Sequence, residues 1–218
     1  GESVDIPVTL NAVLQFVLQL ADTIDSAIDA SLVSGGKIVA QAKFPITVLP
    51  SDFLLAVNYF PELTSSFVMP NLLQVKTIVS RAAKILQEFT GDSVIDGYSS
   101  RNINRVRQMT GAIYAAIQEQ NITYQLPPAN TGMDYGQRVR LADEGLNIKS
   151  GTCIDMALLF ASCLECARLY PIIIHLQGHT FVGVHLMPET FADSVSDDFT
   201  QITKRLANGT HTIEVVEA

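Results

Sequence analysis

Lys149-Ser150-Gly151-Thr152-Cys153-Ile154-Asp155-Met156-Ala157-Leu158-Leu159-Phe160, continuing from Ala161 to Arg168, is the stretch on which the architecture turns. Thr152 supplies an N-cap hydroxyl, and Asp155, three residues on, is a shorter form of the capping-box acid, so the spacing predicts a helix whose first residue is Cys153. The helix is apolar on nearly every face and therefore belongs in the core, with its N-terminus held at a cleft. There the unsatisfied N–H groups and the positive end of the helix dipole stabilise a thiolate and sharpen the sulfur as a nucleophile. The bland alternative, a small buried hydrophobe, also fits Cys153. For Asp155, capping is the better reading than a role in the site.

Towards the C-terminus, Tyr170-Pro171 ends the helix and Ile172-Ile173-Ile174 reads as a buried strand. Gly178-His179-Thr180-Phe181-Val182-Gly183-Val184-His185-Leu186 is a second strand, and Thr212-Ile213-Glu214-Val215-Val216-Glu217 a third. A cysteine on a helix, a histidine on the next strand and an acid on the one after is an order in which a nucleophile, its base and the orienter of that base can meet at one end of a sheet. Glu214 and Glu217 are three apart, so in a regular strand they point to opposite faces and only one meets His179. His185 is six residues from His179, on the same strand face, which suits either a substrate contact or a satisfied histidine. Pro188 to Asn208, with Asp193, Asp197 and Asp198, reads as a lid over the cleft or as an acidic, solvated helical insertion.

Towards the N-terminus, two amphipathic helices are expected. One follows Pro70, with Asn71 as N-cap, a stripe of Leu72, Val75, Ile78, Val79, Ala82, Ile85, Leu86 and Phe89, and Gly91 at the C-terminal cap. The other covers about 102 to 120, through Ile103, Val106, Met109, Ile113 and Ile117. Ile122 to Leu141, with Pro127-Pro128 and Gly132, reads as a loop leading to the next helix. Earlier still, Ile28, Ala30 and Leu32 alternate with Asp29 and Ser31 before Ser34-Gly35-Gly36 and Lys37-Ile38-Val39-Ala40, which predicts a β-hairpin. Residues 8 to 20 fit a strand or a helix and lean to strand. Pro45, Pro50, Pro61 and Pro70 mark an irregular segment. The expected division is a β-hairpin region over 1–50, the tail of a preceding β-module, and an α+β domain over 51–218.

Gly151-Thr152-Cys153-Ile154-Asp155 followed by Gly178-His179-Thr180-Phe181-Val182-Gly183-Val184 resembles the core of the transglutaminase-like superfamily, cysteine acyltransferases and proteases of papain-like architecture. More narrowly, these blocks resemble a bacterial branch found in large multidomain proteins, some with helicase modules. Gly136-Gln137-Arg138-Val139-Arg140-Leu141, Pro61-Glu62-Leu63 and Phe67-Val68-Met69-Pro70-Asn71 also look like that branch, so the resemblance spans roughly 50 to 218. It implies an α+β fold in which a central cysteine-bearing helix packs on an antiparallel sheet. It further implies a nucleophile at Cys153, a base at His179 and a third member at Glu217, where Glu replaces the usual Asp and the chain stops before the family's following Thr. The implied chemistry is acyl transfer through a thioester on a protein or peptide, ending on water or on an amine. The Cys153 N–H is one candidate oxyanion donor and the Gln137 amide a second, with an ordinary polar loop residue the alternative for Gln137. A retired scaffold of the same fold, serving as a protein-binding or structural module, is the competing function.

Composition narrows the partners. Of 218 residues, Lys and Arg number 14 and Asp and Glu 22, and a net charge of −8 repels phosphate backbones and anionic membrane. No nucleic-acid or membrane partner is expected of this segment. Arg101, Arg105 and Arg107 read as a solvated helix face. No stretch reaches the roughly 20 apolar residues of a membrane span, and no signal-peptide pattern opens the chain. The 3 cysteines are too few and odd in number for a disulfide framework and favour a reducing, cytoplasmic compartment. A chain running from Gly1, without Met, to Ala218 reads as part of a longer protein. Cys163-x-x-Cys166 with His175-x-x-x-His179 superficially matches a zinc spacing, but cysteines inside a helix and histidines about 13 Å apart on one strand, or on opposite faces of a hairpin, do not close a tetrahedron. No metal or cofactor is expected, and Cys163 and Cys166 are read as packing residues.

Overall fold

The chain divides into two units, Gly1–Phe53 and Leu54–Ala218, and helical spacing takes over within the second after Pro70. The computed structural model describes residues 19–55, 59–126, 136–207 and 210–217. Most of the ambiguous stretch 8 to 20 lies outside the described residues.

In the first unit, β1 (Ile24–Ser34) and β2 (Lys37–Val48) form an antiparallel hairpin around Gly35 and Gly36, both at positive φ. The register segregates the side chains. Ile24, Ile28, Leu32, Phe44, Ile46 and Val48 share one face, while Asp25, Asp29, Gln41, Lys43 and Thr47 share the other. Pro45, expected in an irregular segment, sits inside β2, because each strand of a two-stranded ribbon has an open edge where a missing N–H costs no ladder bond.

The second unit is mixed α+β with small sheets. The stretch expected to be irregular carries β3 (Phe53–Leu55) and a 3-10 helix (Pro61–Phe67). Helix α1 (Leu73–Thr90) follows, closed by Gly91 at φ 76°. Its N-cap is Leu72 rather than Asn71 and makes no side-chain cap bond. Val75, Ile78, Ala82, Ile85 and Leu86 are buried as the stripe predicts, whereas Phe89 is 83% exposed, since the stripe has rotated out of the core by the last turn. Helix α2 (Ile103–Gln118) is capped by Asn102, whose side chain accepts the Asn104 N–H.

The arginines near its start are not a solvated face. Arg105 pairs with Asp92 at 3.0 Å and donates to the Val94 carbonyl at 2.7 Å, while Arg107 pairs with Glu214 at 2.9 Å. Arg101 precedes the helix at φ 51°.

Beyond α2, the expected loop contains β4 (Thr123–Tyr124) and β5 (Gly136–Arg138), with 127–135 outside the described residues. A short helix, α3 (Ala142–Ile148), then precedes β6 (Ser150–Gly151). β3 pairs with β5, and β4 runs parallel to β6.

Helix α4 (Cys153–Cys166) is the centre of the unit, with Ala157, Leu159, Phe160, Ala161, Cys163 and Leu164 all in the main cluster beside α1 and α2 residues. Its buried Ser162 hydroxyl donates to the Leu158 carbonyl at 2.7 Å and accepts the Met69 N–H at 2.9 Å, so no polar group is stranded there. β7 (Pro171–Leu176), β8 (His179–His185) and β9 (Ile213–Val216) form an antiparallel sheet in that order. α5 (Thr200–Leu206) lies in the acidic insertion between β8 and β9. Among the described residues, no helix is long and apolar enough to cross a membrane.

Candidate functional site

Cys153 is the first residue of α4 and is half-buried. The Thr152 hydroxyl accepts the Asp155 N–H at 3.3 Å and the Asp155 carboxylate accepts the Thr152 N–H at 2.8 Å, so the capping box is complete. Thr152→Ala is expected to cost about 1 kcal/mol, the usual loss of an N-cap hydroxyl, read as a lower urea midpoint at constant slope.

The tight Gln177-Gly178 turn, with Gly178 at φ 76°, separates β7 from β8, which opens at His179. β9 is paired with β8 from His185↔Ile213 to Val182↔Val216, which carries Glu217 to that same end. There His179 Nε2 lies 2.8 Å and 3.1 Å from the two carboxylate oxygens of Glu217, and its ring stacks on Phe181 at 5.9 Å. Glu214 points the other way, to Arg107 and to His211 Nε2 at 3.5 Å. The two glutamates thus separate by face, as alternation requires.

The sheet faces sort the histidines in a way the sequence motifs do not. Pairing of Ile173 with Val182 and of His175 with Thr180 sets these four on one face. Val182, Val184, Ile173 and Val216 of that face join the cluster containing α4. His179, Phe181 and Glu217 stand on the reverse face. His179 and Glu217 are brought together, and among the described residues no hydrogen bond joins the Cys153 thiol to His179. His175, unassigned by the sequence, is the histidine on the helix-side face. Its Nδ1 is 3.0 Å from the Thr180 hydroxyl, its Nε2 is buried without a hydrogen-bond partner, and burial pushes its pKa down. The available signal was its period-two spacing from Ile173.

Gln137 lies half-buried in β5, on a segment fastened to the first turns of α4. Val139 packs in one cluster with Leu54, Ile154 and Leu158. Arg140 binds Asp155 through its own N–H at 2.8 Å and its guanidinium at 3.2 Å. Gly151 approaches closely: a Cβ there would meet Met156 Sδ at 3.4 Å and Asp155 Cβ at 3.5 Å.

The remaining candidates fall elsewhere. Cys163 is fully buried and burial pushes its thiol pKa up; Cys166, partly buried, shifts the same way. His175 and His179 stand on opposite faces of the β7–β8 hairpin, and no group of three or more metal-ligating side chains forms among the described residues. His185 is 3% exposed, edge-on to Phe191 at 5.0 Å, with Arg205 over the Phe191 ring at 4.8 Å. These contacts anchor the acidic insertion at the end of β8 about 20 Å from His179, given roughly 3.3 Å per residue. Compared with models of protein families, with curated proteins and with solved structures, the chain finds no match in any of the three.

Proposed function

We propose that residues 51–218 form a cysteine hydrolase or acyltransferase of transglutaminase-like, papain-like kind, acting on an amide or ester of a protein or peptide without a cofactor. The observation that supports this reading is the His179–Glu217 pair, 2.8 Å apart, on the strands that follow the cysteine helix. In the proposed reaction the Cys153 sulfur bonds to the carbonyl carbon as His179 takes the thiol proton. Collapse of the tetrahedral species breaks the bond to the leaving amine or alcohol, to which His179 returns the proton. Water or an amine then displaces the thioester. Glu217 holds the imidazole in one tautomer, and the Cys153 N–H and Gln137 amide stabilise the oxyanion.

The register that sets His179 on the sheet face opposite the helix-side residues Ile173 and Val182 favours a second reading, a catalytically inactive module of the same fold that binds a protein partner. Alkylation distinguishes the two. If the site is active, iodoacetamide at pH 6–7 modifies Cys153 at least tenfold faster than Cys166, as mapped by peptide mass spectrometry. Equal rates at Cys153 and Cys166 across pH 5–9 would defeat the catalytic reading. Cys163, buried with its thiol pushed up, is expected to be slowest.

A further inference from the structure

A capping box needs only one bond from its acid, yet the Asp155 carboxylate makes three, and they join two chain segments. One oxygen accepts the Arg140 N–H at 2.8 Å; the other accepts the Thr152 N–H at 2.8 Å and the Arg140 guanidinium at 3.2 Å. The Asp155 side chain is 5% exposed and that of Arg140 17%, so water competes little for these bonds. Removing one partner strands the other's charge, which makes the link stiff. Three residues before Arg140 is Gln137; two residues before Asp155 is Cys153. The groups held rigid relative to one another are therefore the nucleophile with its own N–H and the strand bearing the second oxyanion donor.

We propose that Asp155 is a positioning residue that locks the Gln137 strand to the first turn of α4, so that the Gln137 amide and the Cys153 N–H converge on one oxyanion. This deepens the acyl-transfer reading and rests on it. Alkylation needs only a reactive sulfur, whereas acylation also needs the donor pair, and the two rates separate the clamp from the nucleophile.

The test uses the whole 218-residue chain, p-nitrophenyl acetate as acyl donor and iodoacetamide as the donor-independent probe. In the acylation, the S–C bond forms, the ester C–O bond breaks, and p-nitrophenolate leaves with its electron pair while the thiol proton passes to the base. Asp155→Asn is expected to lower the p-nitrophenolate burst rate about 10²-fold, the usual loss for one oxyanion donor, with Cys153 alkylation changed less than threefold. Gln137→Ala is expected to lose the same 10²-fold. The double variant then falls no further than either single one, because both changes remove one donor.

Wild-type acylation by Asp155→Asn, a multiplicative double variant, or alkylation falling in step with acylation would overturn the clamp while leaving acyl transfer intact. A wild-type chain that is alkylated at Cys153 but never acylated removes the acyl-transfer reading, and the clamp with it. Should Asp155→Asn fail to fold, Arg140→Gln retains the carboxylate and the backbone bond and is expected to slow acylation three- to tenfold. An unchanged rate in Arg140→Gln overturns the proposal equally.

Discussion

Exchange of His179 for alanine is expected to lower the rate of Cys153 acylation by 10²–10⁴-fold at pH 7, the range contributed by a positioned general acid–base group. The expectation follows from the pair it forms: an imidazole within 2.8 Å of a carboxylate is held in one tautomer, with its other ring nitrogen left to exchange a proton with sulfur and leaving group. Glu217→Gln is expected to lose only about tenfold, because the Glu217 side chain is 68% exposed and water screens what it contributes. His175→Ala supplies the contrast. His175 stands on the helix-side face with a buried, unpartnered Nε2, so it is the histidine whose loss would matter if His179 stayed on the reverse face during turnover. The measurement is the p-nitrophenolate burst for each variant, with circular dichroism as the control for folding. A burst in His179→Ala within threefold of wild type would move the base elsewhere, and a collapse confined to His175→Ala would identify it.

Legibility in the sequence followed the number of independent signals. The start of α4 is readable to the residue because cap, acid and apolar run agree at Thr152, Asp155 and Ile154, and each acts locally. The strands β7 and β8 are each readable, but one strand through 172–181 and a turn at Gln177-Gly178 fit the sequence alike, and the structure takes the turn, with Gly178 in the left-handed conformation it requires. What depends on distant partners is not readable. Arg105 and Arg107 look like a solvated face until the carbonyl of Val94 and the carboxylate of Glu214 arrive beside them. Asp155 advertises a cap but not its bond to Arg140, fifteen residues back. The same limit applies to the site: motif order places Cys153, His179 and Glu217 along the chain, while which sheet face each occupies follows from the register of β8 on β7 and β9. Alternation from the buried Val182 puts His179 on the reverse face, and that parity is in the sequence, though which residues are buried is a property of the fold.

Acidification is expected to destabilise the domain before its carboxylates titrate, because of His185. Burial, with the Arg205 guanidinium adding to it, pushes the His185 pKa down to about 4. In the unfolded chain the same imidazole titrates near 6.5. Between these values the unfolded state binds a proton that the folded state refuses, so stability falls as pH falls from 6.5 and the loss is complete near pH 4. A difference of about 2.5 pH units is worth about 3 kcal/mol, of which about 2.5 kcal/mol is lost by pH 4.5. His175, also pushed down by burial, adds in the same direction. Urea unfolding at pH 7.5, 6.5, 5.5 and 4.5 measures the sum, and His185→Phe isolates one contribution. Phenylalanine keeps an aromatic edge against Phe191, and the bond from the Tyr98 hydroxyl goes to the backbone carbonyl of residue 185, so both contacts survive the exchange. The variant should hold at least 2 kcal/mol more of its neutral-pH stability at pH 4.5 than the wild type does. Identical pH profiles would mean that His185 is protonated in the folded state, with the Phe191–Arg205 cover opening to admit water at the far end of β8.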